Sequence, residues 1–226
     1  MAINLINGTY IDWRTIEFKS AHIRVFPGVD SGIDFFDDET LQDVQEPNDI
    51  FLDCAGKLIT KNFACGHHHV YSALARGMPP PATTPQNFSD ILNLIWWRLD
   101  KCLDLDMIKA SALYTAMQCA KNGVTFVMDH HASPNAVRGS LDAIAEAFDL
   151  VGVSHLLCYE LSNRDGDKSA GGGLEETEGY LQKQRGLVGL HASFTVGDKL
   201  LRDAVELAQK YNSGIHVHIA EDHVDQ

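Results

Sequence analysis

Eleven histidines are spread along the 226 residues, and four of them form two pairs with a single residue between the partners. One pair is His67 and His69 in Gly66-His67-His68-His69. The other is His216 and His218 in His216-Val217-His218-Ile219-Ala220-Glu221. Side chains two apart on a strand share a face. His67 and His69 are therefore expected to point into one mouth, with His68 turned away. Neutral imidazole suits a borderline ion such as Zn²⁺, and a catalytic ion keeps three protein ligands with one position left for water. His67, His69 and His218 would supply three nitrogens. Of the second pair, one histidine is expected to face the interior and one to face away, and His218 lies nearer the strand end. The carboxylate of Glu221, three residues on, could reach water beside the ion. Each histidine taken singly could equally be a strand-end ring bonded to backbone. Two such pairs about 150 residues apart make coincidence the poorer account.

Other polar residues also sit at the ends of apolar runs. His191, in Leu190-His191-Ala192-Ser193-Phe194, could bond a substrate or be satisfied locally. Asp129-His130-His131 is expected to support ligands or shape a loop. Trp96-Trp97 is expected to pack in the core, and Cys65 to be a small buried residue with no nucleophilic partner.

These residues need elements to hold them. Residues 1–58 hold short β-type runs (3–6, 15–18, 22–26 and 51–53) separated by turn formers at Asn7-Gly8, Pro27-Gly28, 30–32 and 47–49, which predicts a small all-β unit. From residue 59 the pattern alternates. Apolar runs ending near Gly66, Asp129, Leu161, His191 and Glu221 are separated by helical stretches at about 89–99, 106–122, 136–150, 174–184 and 199–211. Residues 165–173, with Gly171-Gly172-Gly173, read as a flexible polar loop. Strands alternating with helices predict βα units on a parallel sheet, with the chemistry at the C-terminal strand ends. Five units are visible where a closed barrel needs eight. The expectation is thus a partial (β/α)₈ barrel over 59–226 preceded by a β-sandwich portion over 1–58, with three strands missing.

Composition narrows the function classes. The net charge of −13 argues against a nucleic-acid partner. No run approaches the roughly 20 apolar residues of a membrane span, and no signal peptide is visible. Five scattered cysteines without a Cys-x-x-Cys pair read as reduced thiols, so a cytoplasmic protein is expected. The missing pair also excludes the cysteine-ligated type of zinc deaminase.

Three segments in order resemble the amidohydrolase superfamily, in its cytosine/guanine deaminase-like and chlorohydrolase-like branch. They are Gly66-His67-His68-His69 with Arg76-Gly77 downstream, Leu190-His191-Ala192-Ser193-Phe194-Thr195, and His216-Val217-His218-Ile219-Ala220-Glu221. Trp96-Trp97-Arg98-Leu99-Asp100 and residues 129–135 are most similar to aminohydrolases linked to selenium metabolism. The resemblance spans about residues 58–221 and departs from the pattern at Ser193, where proline is usual, and at residues 60–63. It implies His67, His69 and His218 as ligands of one divalent ion (zinc, with iron as the alternative), Glu221 as the proton shuttle and His191 as a substrate contact. It also implies a barrel with a small β-sandwich built from both chain ends. The family's sixth-strand histidine and eighth-strand aspartate have no counterpart here. No strand-end lysine suits a second ion, which points to a mononuclear site. The expected function is hydrolytic deamination of a cyclic amidine or nucleobase-like small molecule by a homo-oligomer. The alternatives are an inactive fragment, a non-enzymatic metal-binding or assembly module, and a dechlorinase or amidase on the same scaffold.

Overall fold

In the computed structural model the described residues are 1–26, 32–41, 43 and 46–225. The turn expected at Pro27-Gly28 and most of that at 30–32 lie outside them. The chain divides into two compact units, Met1–Asn62 and Phe63–Gln226.

The first unit is a sheet ordered β3-β2-β1-β4, built from β1 (Ile3–Ile11), β2 (Phe18–Val25), β3 (Ile33–Phe36) and β4 (Ile50–Asp53), with β5 (Leu58–Ile59) also pairing with β1. The β1–β2 and β2–β3 pairs are antiparallel, and β4 and β5 run parallel to β1. Asn7-Gly8 is an irregularity inside β1 and not a turn. The register shifts between Leu5 and Gly8, Asn7 has φ 60°, and its N–H donates to His22 Nδ1 at 2.9 Å. Asp49 ties the unit together by accepting from the Ala2 N–H (2.7 Å), Asn4 (3.3 Å) and Arg24 (2.7 Å).

The second unit is a five-stranded parallel sheet with strands in chain order: β6 (Phe63–His68), β7 (Val124–His131), β8 (Ser154–Leu161), β9 (Val188–Ala192) and β10 (Ile215–His218). A flat sheet would set its edge strands about 19 Å apart, at about 4.8 Å per step. Yet His67 on edge strand β6 and His216 on edge strand β10 have ring nitrogens 2.9 Å apart. The sheet therefore curls as a half-barrel, which brings the strand ends into one mouth.

The connections run over α1 (Phe88–Ile91), a π-helical stretch (Leu92–Trp96), α2 (Trp97–Cys102) and α3 (Leu105–Lys121), then α4 (Ser140–Val151), α5 (Asp167–Leu181) and α6 (Asp198–Lys210). The sequence sets several ends. Asp104 caps α3 by accepting from the Met107 N–H at 2.8 Å, and Gly152 closes α4 in the left-handed region at φ 83°. Ile108, Ala112 and Ala116 of α3, Ile144 and Phe148 of α4, and Val127, Leu157 and Val188 of the sheet are all fully buried and form one core.

The stretch 165–173 overturns the loop expectation, since Gly171-Gly172-Gly173 lies inside α5. Glycine costs about 1 kcal/mol in a helix interior, but packing outweighs propensity here. A Cβ on Gly173 would sit 2.8 Å from Leu161 and 3.0 Å from Tyr159 of β8, so the glycine lets the helix close on the sheet.

Candidate metal centre

Parallel strands end together, so β6, β9 and β10 deliver His67–His69, His191 and His218 to one mouth, where they line a cavity of about 410 Å³ with Glu221. The expected ligands do meet. His67, His69 and His218 place one ring nitrogen each within 4.8 Å of the others. His67 Nε2 and His218 Nε2 are 3.2 Å apart, close to the roughly 3.3 Å edge of a tetrahedron with Zn–N bonds of about 2.0–2.1 Å.

The hydrogen bonds behind these rings fix how they can bind. His69 Nδ1 lies 2.6 Å from the carbonyl of His130, and His218 Nδ1 lies 2.7 Å from the carbonyl of His191. A carbonyl only accepts, so each Nδ1 carries its proton and donates, and each neutral ring turns an Nε2 lone pair outward. Burial, reinforced by the neighbouring His67 and His218, pushes His69 down to about 3. Burial also lowers His67, and lowers the fully buried His130 well below the usual range. These are neutral imidazoles with convergent lone pairs, the donor set a divalent ion needs.

Glu221 lies beyond β10, past Ala220, which adopts φ 59°. The left-handed turn costs a residue with a Cβ about 1–2 kcal/mol and redirects the chain after His218. His191 is nearly buried, with Nδ1 2.6 Å from Thr195 Oγ1 and Nε2 3.9 Å from Glu160.

Some placements differ from expectation. His216 and His218 are two apart on β10, so they share a face and both meet His67; neither is turned away. His67, His130 and His216 make a second trio with ring nitrogens within 4.8 Å of one another. Alternation fails at His68 because β6 ends there with a register shift, and His68 lines the same cavity. Trp96 and Trp97 line the cavity as well. The Trp97 ring lies against His191 at 5.9 Å and under the Arg164 guanidinium at 5.2 Å. Asp129 is buried inside β7, where it accepts from the Val70 N–H at 2.7 Å and so ties β7 to the segment after the ligands. Burial raises it to about 8.

Sequence reasoning passed over Glu160. It ends the apolar run of β8 and lines the cavity almost fully buried, 3.7 Å from His130 Nε2 and 3.5 Å from Arg164. Burial raises it to about 8 although Arg164 pulls the other way. Arg164 also binds Asp100 and lies 3.3 Å from Asp165. The available signal was a charged residue in an apolar strand with an arginine four positions on.

Comparison with known proteins bears on the fold and the family. A 5'-deoxyadenosine deaminase of Methanobrevibacter smithii is 25% identical over 188 residues, which cover 79% of this chain and 41% of that protein. Two solved structures share the fold. An adenosine deaminase from Xanthomonas campestris with bound zinc has a TM-score of 0.77 at 14% identity, over 98% of this chain and 50% of its own. The guanine deaminase of E. coli has a TM-score of 0.76 at 16% identity, over 99% and 54%. The chain thus spans about half the length of the proteins it matches. Among the described residues no helix is long and apolar enough to cross a membrane. The profile of the Amidohydrolase family matches residues 62–225, the stretch that carries the half-barrel and every histidine of its mouth, and the chain belongs to that family.

Proposed function

We propose that this chain is the part of a mononuclear, metal-dependent aminohydrolase that carries three of its ligands, and that the whole protein deaminates a small nucleobase-like or cyclic amidine substrate. One observation carries the reading. His69 and His218 have their Nδ1 protons committed to carbonyls, and their remaining Nε2 atoms converge with His67. The deaminases among the relatives support the substrate class.

His67, His69 and His218 would hold the ion; the donor set favours zinc and accepts iron. Such an ion makes a water molecule nucleophilic near neutral pH. Glu221 takes one proton from the attacking water as the C–O bond forms and the C=N π bond opens, then returns it to the leaving nitrogen, so that the C–N bond breaks, the double bond re-forms and ammonia departs. His191 bonds the substrate, and Trp97 offers a ring face to a planar heterocycle. Glu160, raised to about 8, offers a protonated carboxyl that donates as well as accepts, which suits a substrate edge that pairs a ring-nitrogen acceptor with an N–H donor.

The first unit is read as one portion of a β-sandwich, and a cytoplasmic homo-oligomer is the expected state. The test is metal content per chain for the wild type and for His67→Ala/His69→Ala, followed by ammonia release from adenine-, guanine- and cytosine-type substrates. About one ion per chain that disappears in the double variant supports the reading. Equal metal content in both proteins refutes it, and chloride release from a chlorinated ring without ammonia release would favour a dechlorinase.

A further inference from the structure

The three candidate ligands are backed unequally. His69 and His218 each set Nδ1 against a main-chain carbonyl, of His130 and His191, which no substitution removes. His67 instead sets Nδ1 against a side chain, Nε2 of His216, at 2.9 Å. We propose that His216 is the positioning residue for His67, acting as the hydrogen-bond partner that fixes its ring and lets it offer Nε2 to the ion. This rests on the metal-centre reading above.

The argument follows the protons. The His218 ring is protonated at Nδ1, so its Nε2 is a lone pair facing His67 Nε2 at 3.2 Å. Without an ion, His67 satisfies that lone pair only by carrying its own proton on Nε2. Its Nδ1 then accepts, and His216 Nε2 must donate. With an ion between the two Nε2 atoms, His67 must carry its proton on Nδ1, and His216 Nε2 must accept. One partner has to serve both states. A carbonyl, a lysine or an arginine serves only one of them, whereas imidazole serves both by moving its own proton to the other ring nitrogen.

The surroundings of His216 suit that exchange. Its Nδ1 lies 3.9 Å from Cys158 Sγ, a buried thiol that itself lies 3.5 Å from the Asp129 carbonyl. The sulfur is a weak acceptor when Nδ1 is protonated and costs little when it is not. His130 packs beside the ring at 4.9 Å between centroids. His216 also sits two residues before His218 on β10, so one strand delivers a ligand and the orienting group of a second ligand.

The test uses two replacements of similar size that differ in hydrogen bonding. Glutamine at 216 places an amide near the position of Nε2 and can accept or donate; leucine can do neither. Zn²⁺ affinity is measured on the full chain by chelator competition, and the visible spectrum of the Co²⁺ form is recorded for wild type, His216→Gln, His216→Leu and His69→Ala. Melting of the metal-free forms reports folding. His216→Leu is expected to bind about 10–100-fold more weakly, with His216→Gln within about threefold of wild type and a wild-type Co²⁺ spectrum. The inference is overturned if His216→Leu binds as wild type. It is equally overturned if His216→Gln and His216→Leu weaken alike, which would make His216 a ligand or a packing residue. Failure of the metal-centre reading looks different, because wild type and His69→Ala would then bind equally weakly.

Discussion

Replacing Arg164 with methionine tests how the floor of the cavity is built. The guanidinium is 9% exposed and lies among the carboxyl groups of Asp100 (1%), Glu160 (3%) and Asp165 (15%), measured on side chains. Burial raises Asp100 and Glu160 even with the cation present. Removing one partner of a buried pair costs about 3–5 kcal/mol, because a buried charge is left uncompensated. The buried acids can escape part of this cost by taking up protons. Glu160, at about 8, is already neutral at pH 6 in the wild type, so at that pH it has no charge for the cation to compensate, whereas at pH 8.5 it does. Urea unfolding of Arg164→Met against wild type should therefore show a loss of about 3–5 kcal/mol at pH 8.5, smaller at pH 6 by up to about 0.8 kcal/mol through Glu160. Adding Asp100→Asn should recover part of the loss, since the two residues couple directly. A loss under about 1 kcal/mol at pH 8.5, or one of equal size at pH 6, would refute the account.

Three further outcomes follow from the same geometry. In the metal-free chain Glu160 and Asp129 are raised to about 8, so they favour folding when protonated, and their contribution is lost as pH rises toward 8. His69 and His131 are held at about 3, so they favour folding when neutral, and their contribution is lost as pH falls from about 6.5 toward 3. Between about pH 4.5 and 6.5 the two effects offset each other, so melting temperature should be roughly level there and then fall, by up to about 4 kcal/mol of stability between pH 6.5 and 8; a flat profile over that alkaline range would contradict the buried acids. Gly189→Ala would drive a Cβ to 2.4 Å from the Tyr159 carbonyl on the neighbouring strand, whereas Gly171→Ala meets nothing within 4 Å in α5. Chemical denaturation should show the first destabilised by about 1–3 kcal/mol and the second stabilised by about 0.5–1 kcal/mol. In the complete enzyme, Glu221→Gln should lower ammonia release at least about 100-fold while metal content stays at the wild-type level; loss of the metal would make Glu221 a ligand and not a proton carrier.

Local pattern determined much of this protein. The alternation of β-branched runs with helical stretches specified βα units, and spacing alone put His67 and His69 on one face. The same spacing rule places His216 and His218 together, so their shared face was legible as well. Tertiary structure decided what periodicity does not encode. The glycine run at 171–173 is a helix because Gly173 must approach Leu161 and Tyr159, a contact made across the fold. Trp97 was expected in the core and Glu160 was passed over, yet the fold brings both to the lining of the cavity, one from α2 and one from β8. That β6 and β10 meet at all, and that His216 thereby backs His67, depends on the accumulated curl of five strands. It is a long-range property that no window of neighbouring residues contains.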